Sequence, residues 1–303
     1  MNKKILSAII VLSISLAGCS NTKFNSSVNQ NSNDYQYSAI GKTLNDNKKT
    51  IWYHTTDGAN KDAIIDTVYV AQAGKVTSYK VVDVSTESND EFTLGNISTL
   101  NNEQIIKKAK EQNKKISRSQ LDGIISTMEK MINSTEISLQ NSSSFVDGNY
   151  SETLTNTGGQ KTKDQIISET KNGISEAKNK IEELKTMNTE KHEMFHRTPI
   201  SININLKTDS SGNNVQNETI TITNTVFNSN YYYSNLRFIG NYFFNEDKMV
   251  LNSPINFDIY KGHYSGFTIN NSPDDLFITK TKTSKYYFKF DNIESKLKNT
   301  KID

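Results

Sequence analysis

The sequence predicts an α+β protein with an N-terminal β-meander, a long antiparallel helical hairpin and a C-terminal antiparallel β-sheet. Three observations predict it. β-branched and aromatic runs separated by turn residues fill Thr50 to Ile97. Two apolar seams with alternating steps of four and three residues lie between Leu121 and Leu184. After Pro199 apolar and polar residues alternate with a period of two.

Taken in order, residues 1–18 read as a secretory leader. Lys3 and Lys4 precede an apolar run from Ile5 to Leu16, and no acidic residue interrupts it. The run falls short of the about 20 apolar residues that a spanning helix needs. It ends in Leu16-Ala17-Gly18-Cys19, which resembles a lipobox: small residues fit a narrow peptidase site, and the thiol of Cys19 receives a diacylglyceryl group. Cys19 is the single cysteine of the 303 residues, so no disulfide forms within the chain despite export to an oxidising compartment. Lipid on Cys19 would therefore make membrane lipid a partner. Two acyl chains, each methylene contributing roughly 0.8 kcal/mol, suffice for stable anchoring.

Residues 19–49 are dominated by Ser, Asn, Thr, Gln and Lys with scattered apolar residues. Such a stretch buries too little apolar surface to offset the entropy of ordering, and is expected to be a lipidated, disordered tether.

Residues 50–100 form the predicted small β-meander. Its strands are Ile51-Trp52-Tyr53, Ile64 to Val70 and Val76 to Val82, with turns at Asp57-Gly58 and Ala73-Gly74-Lys75. Trp52 would serve either as a ligand platform or as a core anchor, and the only tryptophan in a chain of 34% hydrophobic residues reads as the anchor.

Residues 101–197 form the helical region. Glu103 to Lys115 is a short, charged helix with Ile105, Ile106 and Ala109 on one side, expected as a connector. The seams follow: Leu121, Ile125, Met128, Ile132, Thr135 and Leu139, then Ile167, Thr170, Ile174, Ala177, Ile181 and Leu184. A polar segment ending in Thr157-Gly158-Gly159 lies between them, so the two helices fold back on each other in a coiled-coil-like hairpin.

Residues 198–303 are the antiparallel sheet region. Ile200, Ile202, Ile204 and Leu206 face one way, Ser201, Asn203 and Asn205 the other. The cluster Asp209 to Asn214 turns the chain into a second alternating strand at Glu218 to Thr223. Further strands are expected at Leu236 to Phe244, Lys248 to Leu251, Ile255 to Tyr260, Gly266 to Ile269, Leu276 to Thr281 and Tyr286 to Phe290, with a helix seed or frayed tail after Ile293. Pro199, Pro254 and Pro273 read as punctuation between elements.

Removing Lys3 and Lys4 with the leader leaves 33 basic against 33 acidic residues, so no basic excess points to nucleic acid. Strand and helix do not alternate in the sustained way of a doubly wound solute receptor. A solute-binding lipoprotein is therefore a secondary alternative.

One pattern carries recognisable catalytic chemistry, His192-Glu193-Met194-Phe195-His196. Residues four apart on a helix share a face, so His192 and His196 could hold zinc while Glu193 activates water, the arrangement of zinc metallopeptidases. Its surroundings argue against that reading. Glu190, Lys191 and Arg197 flank it, Thr198-Pro199 stops the helix, and Pro199 and Asn203 stand where an extended motif needs Gly and His. His263 is the remaining candidate for a third ligand. Without zinc no cofactor is expected, and two histidines at a helix end are accounted for by the negative C-terminal dipole.

The aromatic stretch Tyr231-Tyr232-Tyr233 with Phe238, Tyr242, Phe243 and Phe244 suits either ligand stacking or a sheet surface, and β-propensity favours the sheet. The same reading applies to Tyr286-Tyr287-Phe288.

The lipobox, the polar tether, Ile51-Trp52-Tyr53, Gly74-Lys75-Val76 before Tyr79, and Tyr264-Ser265-Gly266-Phe267 with Phe277-Ile278-Thr279 resemble uncharacterised cell-surface lipoproteins of low-GC Gram-positive bacteria. The resemblance implies a membrane-anchored ectodomain on the extracytoplasmic side of the cell membrane. It further implies a binding or structural role toward an envelope or extracellular partner, and carries no catalytic residue with it.

Overall fold

The computed structural model describes residues 35–82, 92–141, 162–186, 198–232, 237–295, 297 and 299–303. Its elements are β1 (Gln36–Ala39), α1 (Ile40–Asn45), β2 (Thr50–Thr55), β3 (Ile65–Gln72), β4 (Lys75–Lys80), α2 (Leu94–Ile97), α3 (Asn102–Gln140) and α4 (Lys163–Thr186). There follow β5 (Ile200–Thr208), β6 (Val215–Tyr232), β7 (Arg237–Ile259), β8 (Gly262–Ile269), β9 (Ser272–Thr281), β10 (Tyr286–Lys289) and β11 (Thr300–Ile302). The expected mixture of an N-terminal strand region, a long helix pair and a C-terminal sheet is therefore present.

The two strand regions share one sheet. β2 pairs antiparallel with β9, Trp52 opposite Thr279 and His54 opposite Phe277. β4 pairs with the start of β5, Val76 opposite Ile200. The order runs β11-β5-β4-β3-β2-β9-β8-β7-β6, and β6 pairs back to β5, which closes the sheet on itself. With β11 lying parallel on the remainder of β5's edge, the ring is an eight-stranded barrel. At that size the interior is just wide enough to be filled by side chains.

Alternation sorts the residues. Inward, Trp52, Tyr69, Ile204, Leu206, Ile220, Ile222, Phe267 and Phe277 form one buried cluster, which Ile40 and Leu44 of α1 and Phe288 of β10 complete. Trp52 is fully buried and stacks on Phe277 with ring centroids 4.8 Å apart, so it is a core anchor. Outward, Ile51, Tyr53, Val68, Tyr79, Tyr264 and Ile278 meet Leu94 and Ile97 of α2 and Ile105 and Ala109 of α3 in a second cluster. The barrel thus has apolar side chains on both faces of β2, and α2 with the start of α3 covers the outer one.

Glu103 to Lys115 is the first part of α3 and not a separate connector. Nothing between Lys115 and Leu121 breaks a helix. Its start is set by a capping box in which Asn101 accepts from the Gln104 amide and the Gln104 side chain accepts from the Asn101 amide. Beyond Ser117 the helix leaves the barrel and packs on α4 through Leu121, Ile125, Met128 and Ile132 against Ile174, Ala177, Ile181 and Leu184. Glu136 pairs with Lys178 and Glu129 with Lys185, so the helices run antiparallel. At the start of α4 Ile166 is buried, and Ile167 is only half-buried.

Three more expectations are corrected. Ordered structure begins before Thr50, because Ile40 and Leu44 are 0% and 2% exposed and fit the barrel core. The strands expected between Leu236 and Tyr260 are one strand, β7, whose pairing with β8 shifts register between Leu251 and Pro254. Pro254 is tolerated there because a bulge frees a residue from donating to the ladder. The chain after Ile293 ends in strand β11, not a helix seed.

Two-residue turns fix the hairpins. Ala73 and Gly74 both have positive φ, as do Asn270 and Asn271, the conformation that matches strand twist in tight hairpins. The Ala73 and Gly74 amides also donate to Asp46 and Leu44 carbonyls, which ties α1 to the β3–β4 turn at one end of the barrel.

Candidate functional site

At the end of the barrel where β2 begins and β9 finishes lies a cleft of about 600 Å³, bounded by β1, α1, the start of α3 and β10. Five lysines line it: Lys42 from α1, Lys48 and Lys49 from the turn before β2, Lys280 from β9, and Lys282 just beyond. Among the described residues a single carboxylate, that of Asp46, lines it with them. Asp46 is already used, its side chain accepting from the Lys48 backbone amide at 3.0 Å. Among the described residues none of the five ammonium groups meets a carboxylate.

Lys280 is held differently from the others. Its amine donates to the carbonyls of Ser98 and Leu100, beside the end of α2. Burial there lowers its pKa. Tyr53 also lines the cleft; it is fully buried, and its hydroxyl has no hydrogen-bond partner among the described residues. Burial first, then the Tyr264 phenol, pushes the Tyr53 pKa up, so its oxygen keeps the proton and remains a donor.

Two sets of buried or half-buried ionisable groups lie elsewhere in the barrel. His54, at the far end of β2, is clamped between Asp66 (Nδ1 to Oδ1, 2.8 Å) and Asp275 (Nε2 to Oδ1, 2.6 Å). Burial opposes its charge, but hydrogen bonds and attraction from Asp66 and then Asp275 prevail and raise its pKa to about 9. The histidine is thus a cation joining β2, the residue next to the start of β3, and β9. With both ring nitrogens engaged, it has none free for a metal or a substrate.

Glu218 on β6 and Asp291 after β10 are 0% and 2% exposed. Asp291 accepts from the amides of Gly41 (2.5 Å) and Lys42 (3.2 Å) at the start of α1, and its own amide donates to Glu218 Oε2 at 2.9 Å. Glu218 Oε1 has no partner among the described residues. Burial, then the neighbouring Asp291 carboxylate, raises the Glu218 pKa strongly, so Glu218 holds a proton at neutral pH. Neither carboxylate lines the cleft. The pair fastens the tail to α1, and a Cβ at position 41 would collide with Asp291, which explains Gly41.

The predicted site residues fall mostly outside the described part of the chain. Leu16, Ala17, Gly18 and Cys19, and His192, Glu193 and His196, lie outside the described residues. His263, the candidate third ligand, is paired with Asp258 across β7 and β8 at 2.6 Å. Among the described residues no group of three or more His, Cys, Asp or Glu side chains is placed to hold a metal. Tyr231 and Tyr232 fall on β6, opposite Phe238 and Arg237 of β7, and Tyr233 lies outside the described residues. Among the described residues no helix is long and apolar enough to cross a membrane.

Sequence reasoning missed the lysine cleft. Its only local signal is Lys280-Thr281-Lys282, where a period of two places both lysines on one face. Compared with protein-family models, with curated proteins and with solved structures, the chain has no significant match in any of the three.

Proposed function

We propose that this protein is a lipid-anchored lipoprotein on the extracytoplasmic face of the cell membrane, with a binding role at the cell envelope exercised by its barrel-and-hairpin body. The observation that carries the reading is Leu16-Ala17-Gly18-Cys19, placed directly after a basic and then apolar leader and containing the only cysteine of the chain. A lone thiol in an exported protein has no disulfide partner within its chain, and acylation is the use that this position offers it.

The body suits binding better than catalysis. Its half-buried His54 and the buried Glu218–Asp291 pair are spent on holding strands and α1 together, whereas among the described residues the lysines of the cleft are not paired with carboxylates. The test is fractionation of cells producing the native chain or Cys19→Ala, after feeding labelled palmitate. The native chain is expected in the membrane fraction with label, and the variant without label. Equal labelling of the two would refute acylation at Cys19.

A further inference from the structure

We propose that the cleft beside α1 is a binding site for a phosphate-bearing polyanion, held by Lys42, Lys48, Lys49, Lys280 and Lys282. The charge there is not a by-product of a basic protein. Outside the leader the chain has equal numbers of basic and acidic residues, yet among the described residues the cleft gathers five lysines and only Asp46. Like charges brought to one concave surface raise each other's free energy and focus a positive potential into the space between them. A bound anion with several charges removes that cost.

The convergence is built by the fold. Lys48 and Lys49 lead into β2, Lys280 and Lys282 lie at the end of β9, and β2 and β9 pair side by side with Trp52 opposite Thr279. Lys42 arrives on α1, which the Asp291 carboxylate and the β3–β4 turn hold against the same end of the barrel.

Lys280 adds an observation of its own. Its ammonium is partly buried and, among the described residues, bonded only to the neutral carbonyls of Ser98 and Leu100, so an anion in the cleft would give it a counterion that the fold does not.

Phosphate fits the donors better than carboxylate. Among the described residues no arginine lines the cleft to offer the planar fork that carboxylates accept in pairs. Lysines are point donors, and phosphate oxygens accept from several directions. A volume of about 600 Å³ admits a compact ligand of several charges or a short stretch of a polymer. The phosphate would come from a soluble compound or from a lipid headgroup.

The site lies wholly within Tyr35–Asp303, so the proposal does not depend on acylation of Cys19. The test uses the full chain in neutral detergent micelles, with sodium tripolyphosphate as the probe in titration calorimetry and thermal unfolding. The native chain should bind one tripolyphosphate and unfold at a higher temperature in its presence. Lys48→Gln/Lys49→Gln/Lys282→Gln, which changes only exposed side chains, should bind at least about tenfold more weakly, the effect of removing about 1.4 kcal/mol. Lys107→Gln/Lys108→Gln/Lys110→Gln on α3 removes the same charge from an exposed face away from the cleft and should leave binding unchanged. Competition by glycerophosphoglycerol would assign a lipid headgroup as the source, and its failure to compete a soluble phosphate. The proposal is overturned if millimolar tripolyphosphate does not bind, if the α3 variant loses as much affinity as the cleft variant, or if citrate binds as tightly.

Discussion

Glu218→Gln separates a proton held inside the barrel from an ordinary buried acceptor. In the native chain Glu218 is 0% exposed, Oε2 accepts from the Asp291 amide, and Oε1 is unpartnered among the described residues. Its folded pKa is raised above the unfolded value of 4.5. Above that unfolded value the folded state retains a proton that the unfolded chain releases. Stability therefore falls as pH rises, until the raised folded pKa is reached. The slope is about 1.4 kcal/mol per pH unit, or roughly 2.7 kcal/mol from pH 5.5 to 7.5. Complete burial leaves no solvent screening to reduce it. Glutamine keeps the oxygen that accepts from Asp291 and has nothing to titrate, so the variant lacks this contribution. Urea unfolding at fixed ionic strength, followed by Trp52 fluorescence, should show the variant gaining on the native chain by about that slope across this range. Titrating groups that do not touch Glu218 cancel in the difference. Parallel pH profiles for the two proteins would refute the reasoning, because they would mean that Glu218 is ionised in the folded state.

Three further outcomes follow from the same structure. His54→Gln leaves Asp66 and Asp275 facing each other without a cation, and should cost about 1–2 kcal/mol at pH 6, reduced from the buried-pair range because Asp66 is partly exposed. Because the His54 pKa is raised from 6.5 to about 9, its stabilisation is complete below pH 6.5 and lost as pH rises through about 9, so native and variant unfolding curves should converge on the alkaline side. Trp52→Ala empties the space between Phe277 and Phe288, whose rings lie 4.8 and 4.9 Å from the indole. It should lower the unfolding free energy by about 3–5 kcal/mol and abolish much of the near-ultraviolet circular dichroism. Chain purified without chelator should hold far less than one zinc per molecule by mass spectrometric metal analysis. Stoichiometric zinc lost on His192→Ala would instead favour the peptidase reading.

Local pattern carried much of the fold. The alternation of Ile202, Ile204 and Leu206 with Asn203 and Asn205 placed β5's buried face, and the steps from Leu121 to Ile132 placed the hairpin seam. Closure of the barrel left no such trace. It depends on β2 finding β9 and on β5 meeting both β4 and β6, contacts between segments far apart in sequence that no local period reports. Gln36 to Asn45 looked unstructured because its apolar residues are few, yet Ile40 and Leu44 suffice once a barrel end exists to receive them. For the same reason the lysine cleft was invisible: Lys42, Lys49 and Lys280 meet only after β2 and β9 have paired. The Glu218–Asp291 pair likewise joins residues from separate strands, and neither carboxylate stands out in a chain of 33 acidic residues.

The claim on which the functional account depends is covalent, and mass spectrometry of the protein isolated from its own membranes tests it directly. The account predicts an amino-terminal peptide beginning at Cys19 and heavier by a diacylglyceryl group. An intact leader ahead of Cys19, or an unmodified thiol there, would contradict it.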